Sequence, residues 1–141
     1  MTEYLNKPEE TANFLRDGWA HTGDKGYYDD GERVFVIGRY KELIKYRNIN
    51  ILPTNVEKHM MTHPDIVDVA VVGLPHEDDG ERPLAFVVLS ENGKVTAEEL
   101  ISFTNGQVME EEKLRGGIRF IEKIPRNDLG KIVRPELTKL L

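Results

Sequence analysis

Residues 65–89 read DIVDVAVVGLPHEDDGERPLAFVVL, and this stretch decides the fold. Val67, Val69, Val71 and Val72 form a β-branched run that ends at Gly73. Such a run predicts a largely buried strand. Leu84–Leu89 is a second run of the same kind, and the two predict neighbouring strands. The residues between them, Pro75 to Pro83, read as an acidic loop.

Working outward, Pro53-Thr54-Asn55-Val56-Glu57 predicts a helix start, with Thr54 as N-cap and Glu57 completing a capping box. That helix should run to about Thr62, because His63 precedes Pro64 and is biased out of the helical region. Thr96-Ala97-Glu98-Glu99 predicts a second capping box, opening a helix to about Asn105-Gly106. Ile118, Phe120 and Ile121 predict a further strand after Gly116-Gly117, and Arg134–Leu141 a short amphipathic helix.

Upstream, Leu43–Tyr46 and Ile49–Ile51 predict two short strands joined through Arg47-Asn48, since Asn tolerates a left-handed turn. Tyr40-Lys41-Glu42 reads as a connector. Residues 1–38 predict a short helix from Pro8 and small β structure: a strand at Trp19–Thr22, and a hairpin whose loop is Asp29-Asp30-Gly31-Glu32. The fold class is α+β, a small mixed sheet with covering helices, preceded by a short β-hairpin segment.

Composition narrows the chemistry. The chain has 141 residues, 39% hydrophobic and 31% charged, which suits a folded domain. It contains no cysteine, which excludes disulfides, cysteine-ligated zinc and a thiol nucleophile. No apolar run approaches the ~20 residues of a membrane helix, and the N-terminus lacks signal-peptide character. The net charge is -6, which disfavours nonspecific nucleic-acid binding. Arg39, Lys41, Lys45 and Arg47 nevertheless crowd into nine residues, and such an island can focus a small anion.

Three motifs could carry chemistry. In Thr22-Gly23-Asp24 a carboxylate beside a glycine turn can accept two hydroxyl protons, as from a ribose diol; an ordinary turn aspartate is the other reading. Gly38–Lys45 displays lysines that could meet an anion or simply protect an edge strand. In Pro125–Arg134, Gly130 lets Lys131 extend from an unencumbered backbone, and its compact ammonium suits a phosphoryl or carboxylate oxygen. It could equally be a loop lysine, and it lacks the spacing of a P-loop. His59 and His63 stand at i, i+4 with no third ligand in view, so no metal site is expected. The acidic runs Glu77–Asp79 and Glu110–Glu112 read as solvated charge.

Taken in order, these motifs run over almost the whole chain: Gly18-Trp19-x-x-Thr22-Gly23-Asp24-x-Gly26, Gly38-Arg39-x-Lys41-x-x-Ile44-Lys45, Gly80-Glu81-x-Pro83-x-Ala85-Phe86-Val87 and Pro125-x-x-x-x-Gly130-Lys131-x-x-Arg134. The series resembles the C-terminal part of the adenylate-forming superfamily, which comprises acyl-CoA synthetases, 4-coumarate–CoA ligases and beetle luciferases. The resemblance implies a carboxylic acid substrate, ATP, Mg2+ held mainly by a large N-terminal adenylation domain, and CoA or luciferase-type oxidation in a second step. It implies that Asp24 and Arg39 bind the ribose of ATP, that Lys41 is the hinge, that Lys131 is the catalytic cation of adenylation, and that Lys45 serves the second step. Residues 1–38 would close the large domain and 39–141 would form the mobile C-terminal domain. The 141 residues alone would then be an inactive fragment.

Two positions depart from the family pattern. Asn48 stands where glycine is usual, which could narrow a thiol channel, and Asn55 stands where glutamate is usual. A stand-alone module that binds a nucleotide or a partner domain is the alternative. The closing Thr138-Lys139-Leu140-Leu141 is not a Ser-Lys-Leu address, so cytoplasm is the expected compartment, or the peroxisome if an extension is missing.

Overall fold

The computed structural model describes residues 3–141, which divide into two compact units, Met1–Lys41 and Glu42–Leu141. The first unit holds helix α1 (Pro8–Phe14), the two-residue strands β1 (Leu15–Arg16) and β2 (Trp19–Ala20), and a hairpin of β3 (Asp24–Tyr28) and β4 (Val34–Arg39). Tyr27 stacks on Phe35 at 5.0 Å across that hairpin. None of the described residues 3–41 is buried, and Trp19, Tyr28, Val34 and Val36 are largely exposed. The described residues of this unit form no core of their own.

The second unit carries the sheet. Its strands are β5 (Ile44–Tyr46), β6 (Ile49–Ile51), β7 (Ile66–His76), β8 (Gly80–Leu89) and β9 (Gly117–Phe120). They run in the order β6-β5-β8-β7, and β9 joins β8 in parallel while the other pairings are antiparallel. Helices α2 (Pro53–Met60), α3 (Ala97–Asn105) and α4 (Arg134–Thr138) complete the unit. The mixed sheet with covering helices is the α+β architecture that the sequence predicts.

Strand alternation divides the valine runs between two cores. Val69, Val71, Ala85 and Val87 pack with Val56, Met60 and Leu100 of α2 and α3. Ala70, Val72, Leu84 and Phe86 pack with Ile124 and with Leu137 of α4. Both faces of the β7–β8 ladder are therefore covered, which is why these strands read as continuous apolar runs. Val67 alone among the valines singled out is exposed.

Local starts and turns follow the residues. Thr96 and Glu99 form the predicted capping box: the Glu99 amide donates to Thr96 Oγ1 at 3.2 Å and the Thr96 amide to Glu99 Oε2 at 2.8 Å. Arg47 and Asn48, with φ of 43° and 66°, form the predicted left-handed turn between β5 and β6.

Three expectations are corrected. Helix α2 starts at Pro53, with Leu52 as an N-cap that makes no side-chain bond. Proline's fixed φ and missing amide hydrogen suit the first helical position, so no Thr54–Glu57 box forms. The acidic loop is mostly strand: β7 pairs to His76, and only Glu77–Asp79 bridge to Gly80. Asp79 is only 2% exposed and Glu112 only 7%, so neither is solvated charge. Asp79 bonds Arg47 and Arg82, and Glu112 accepts from Asn55 and from the Met109 amide.

Glu57, freed from capping, points inward to the edge of β7. Its Oε1 accepts the Val71 amide at 2.8 Å and Arg134 at 2.7 Å, while Arg134 Nε donates to the Val71 carbonyl at 3.3 Å. The ion pair thus satisfies both backbone groups of one edge residue, as another strand would. Burial pushes the Glu57 carboxyl above its usual range, and Arg134 only partly opposes that.

Removing one partner of a buried pair costs about 3–5 kcal/mol, against ~0–1 for an exposed pair. Arg134→Met is therefore expected to lower unfolding stability by about 3 kcal/mol at neutral pH. An acid whose folded pKa is raised contributes full stability below its unfolded value, here 4.5, and loses it as pH rises through the folded value. The deficit of Arg134→Met should thus widen as pH rises from 4 to 7; urea unfolding across that range checks it.

Candidate functional site

The five residues singled out by sequence lie on four local structures. In the first unit, Asp24 and Arg39 are cross-strand partners of the β3–β4 hairpin. Arg39 Nη1 donates to Asp24 Oδ1 at 2.9 Å. Gly23, at φ +75°, turns the chain so that its carbonyl accepts the Tyr40 amide at 2.8 Å. Thr22 Oγ1 accepts the Asp24 amide at 3.2 Å. The geometry brings these two residues together through Asp24 Oδ1 and leaves Oδ2 without a side-chain hydrogen bond among the described residues.

Lys41 is exposed in a single 3-10 turn, Tyr40–Glu42, and the division between the compact units falls directly after it. Lys45 is the middle residue of β5, opposite Asn50, with its side chain exposed between buried Ile44 and Tyr46. Its amide donates to Glu81 Oε2 at 2.8 Å. Its ammonium makes no ion pair among the described residues.

Lys131 is displayed by a tight hairpin. Arg126 bridges Ile132 across it. The Asn127 amide donates to the Lys131 carbonyl at 2.9 Å, and the Gly130 amide to the Asn127 carbonyl at 2.8 Å. Asn127 Oδ1 accepts the amides of Leu129 and Lys131 at 3.1 and 2.9 Å. Gly130 sits at φ +77°, where a side chain would be strained. Two arginines fasten the hairpin to β7: Arg126 pairs with Asp68 at 2.8 Å, and Arg134 grips Glu57 and Val71. The backbone is thus heavily bonded while the Lys131 side chain stays exposed and unpaired among the described residues. A lysine displayed from so firmly held a backbone can bring its ammonium to a ligand on which negative charge develops.

Sequence reasoning missed the residues that hold these displays. In the sequence Asn127 is an unmarked position of the Pro125–Arg134 motif, Arg134 is only that motif's last residue, and Asp79 looks like solvated charge. A signal was available for Asp79 in the arginines at 47 and 82, but only the fold brings them to one carboxylate. Both arginines hold the Asp79 carboxyl below its usual range, Arg47 most strongly, against the effect of burial.

No three His, Asp or Glu side chains converge as metal ligands among the described residues. His63 is otherwise engaged: Nδ1 accepts the Asp65 amide at 3.2 Å, and the ring lies edge-on to Phe103. Among the described residues no helix is long and apolar enough to cross a membrane.

Comparison with known proteins gives a consistent result. The chain is 39% identical to luciferin 4-monooxygenase of Luciola mingrelica over its whole length, covering 26% of that protein. It is 43% identical to 4-coumarate–CoA ligase 1 of Oryza sativa subsp. japonica, again over its whole length, covering 25% of that protein. Thus it spans about a quarter of the length of the curated relatives it matches. Among solved structures, ATP-bound MatB from Rhodopseudomonas palustris superimposes with a TM-score of 0.86 at 29% identity, over 98% of this chain and 27% of that one. o-Succinylbenzoate CoA synthetase from Bacillus subtilis, in complex with its acyl-adenylate, gives 0.87 at 28% identity, over 97% and 28%. The family model for the AMP-binding enzyme C-terminal domain matches residues 55–131. With more than half of its residues under that model, and with the fold to match, the chain belongs to the AMP-binding enzyme C-terminal domain family.

Proposed function

We propose that this chain acts as the C-terminal part of an ATP-dependent carboxylate-activating enzyme, most simply an acid–thiol ligase. The observation that carries the reading is the Asn127-capped hairpin, which holds an unpaired lysine outward in a member of this family. In the first step a carboxylate oxygen attacks the α-phosphorus of ATP; the bond to pyrophosphate breaks and pyrophosphate leaves. Negative charge gathers between the carboxylate and the α-phosphate, and Lys131 supplies the opposing cation. Asp24 accepts hydrogen bonds from the ribose hydroxyls, and Arg39 holds Asp24 in place.

In the second step a thiol sulfur, from CoA in a ligase, attacks the acyl carbon. The bond to AMP breaks, AMP leaves, and the thiol proton is released. Lys45 belongs to the face used here, and Lys41 is the pivot between the two steps. Residues 1–38 form the last strands of a large N-terminal adenylation domain, and 39–141 the mobile domain. The exposed apolar side chains of the first unit support that, because a hairpin without a core needs one from elsewhere. The described residues offer no donor set for Mg2+. The ion would be held by the large domain. A cytoplasmic location goes with this reading.

The test uses the natural polypeptide that carries this sequence. Wild type should catalyse ATP–pyrophosphate exchange with at least one acid of a broad panel, and Lys131→Ala should lower that exchange on the order of 100-fold without changing the thermal midpoint. Exchange with no acid, or an unaffected Lys131→Ala variant, contradicts the reading. Asn48→Gly should raise thioester formation severalfold and leave exchange unchanged, since it removes a side chain from the turn beside Lys45. A rapid-quench assay of thioester yield decides this, and an unchanged yield means that Asn48 does not narrow the thiol path.

A further inference from the structure

Three consecutive residues at the β7–β8 junction, the last of the turn and the first two of β8, grip the strand that carries Lys45. Asp79 is first. Its Oδ1 accepts Arg47 Nε at 2.5 Å, its Oδ2 accepts Arg82 Nε at 2.6 Å, and its carbonyl accepts the Arg47 amide at 2.9 Å. The His76 ring lies beside it, with Nδ1 3.7 Å from Oδ2. Gly80 is second. It pairs with Tyr46, and a Cβ there would stand 2.9 Å from the Lys45 carbonyl. Glu81 is third, taking the Lys45 amide. Beyond the turn, Arg47 and Arg115 both lie over the Tyr46 ring, at 5.3 and 4.9 Å.

This arrangement holds a demanding conformation. Arg47 and Asn48 are successive non-glycine residues at positive φ, which persists only where surroundings over-determine it. Arg47 is determined by its amide, its guanidinium and its ring contact together. A buried carboxylate is a poor way to gain stability, because apolar replacements often do as well. What it supplies is direction: two arginine Nε–H groups, one on each carboxylate oxygen, fix where each strand end points. The Lys131 hairpin is fastened elsewhere, to Asp68, Val71 and Glu57, so the two lysine displays have separate supports.

We propose that Asp79 is a positioning residue for the acyl-transfer half-reaction: through Arg47 it locks the β5–β6 turn and sets the direction of Lys45, and it takes no part in adenylation. The proposal rests on the two-step reading above.

The test separates the half-reactions in the natural polypeptide. Asp79→Asn should leave ATP–pyrophosphate exchange within about twofold of wild type. It should lower thioester formation by roughly 10- to 100-fold, in kcat rather than in KM for the acid. Arg47→Met should act alike, and the double variant should lose no more than either single one, as coupled residues do. Parallel loss of both half-reactions would make Asp79 a folding residue and overturn the proposal; so would unchanged thioester formation. A second measurement stands apart from activity. In the 141-residue chain, Asp79→Asn should speed amide hydrogen exchange at Lys45 and Arg47 while leaving Val71 and Phe86 protected. If wild type activates no acid, the two-step reading fails, and unchanged exchange at Lys45 and Arg47 would independently overturn the clamp.

Discussion

The ion pair of Glu57 with Arg134 at the edge of β7 is the contact on which the rest of the second unit depends. Glu57 comes from α2, which lies over one core, and Arg134 opens α4, which covers the other. Between them they occupy the amide and carbonyl of Val71, in the strand that divides the two cores. Arg134 also reaches Glu42 at 3.3 Å, at the start of the unit. One guanidinium, 12% exposed, therefore ties the entry of the domain, both layers of helix and the exit of the Lys131 hairpin. The desolvated carboxylate makes the contact costly, and the backbone groups it satisfies offset that cost.

From that anchor the two lysine displays differ in kind. Lys131 sits on a turn whose backbone is closed by Asn127 and whose flanks are bound by arginines to β7. Lys45 sits inside a three-residue strand, held by the residues of a neighbouring turn. Neither ammonium is paired among the described residues, although the chain carries more acidic than basic side chains. Two cations on different elements of one firm scaffold, one in a strand and one on a hairpin turn, suit the two-step reading proposed above. The local basic island of residues 39–47 is partly spent in structure: Arg39 on Asp24 and Arg47 on Asp79.

Much of this was legible in the sequence. The valine runs predicted the β7–β8 ladder, because burial on both faces leaves a continuous apolar pattern. Arg47-Asn48 predicted its own turn, and Thr96–Glu99 its own cap. What was not legible depends on distant partners. Asp79 looks like solvent-facing charge until Arg47, 32 residues away, arrives beside it. Glu57 fits a capping box by spacing, yet Pro53 moves the helix start and sends the carboxylate to Val71. The positions of the candidate lysines could be read from motif spacing. The residues that aim them could not, because aim is set by tertiary hydrogen bonds.

On the proposed reading, Lys131 and Lys45 meet ligands in turn, not together. Lysine acylation footprinting of the natural polypeptide, read by mass spectrometry, tests it directly. With ATP and the carboxylic acid bound, Lys131 should be protected and Lys45 should remain reactive. With the acyl-adenylate and thiol bound, the pattern should reverse. Simultaneous protection of both lysines, or of neither, would contradict the account.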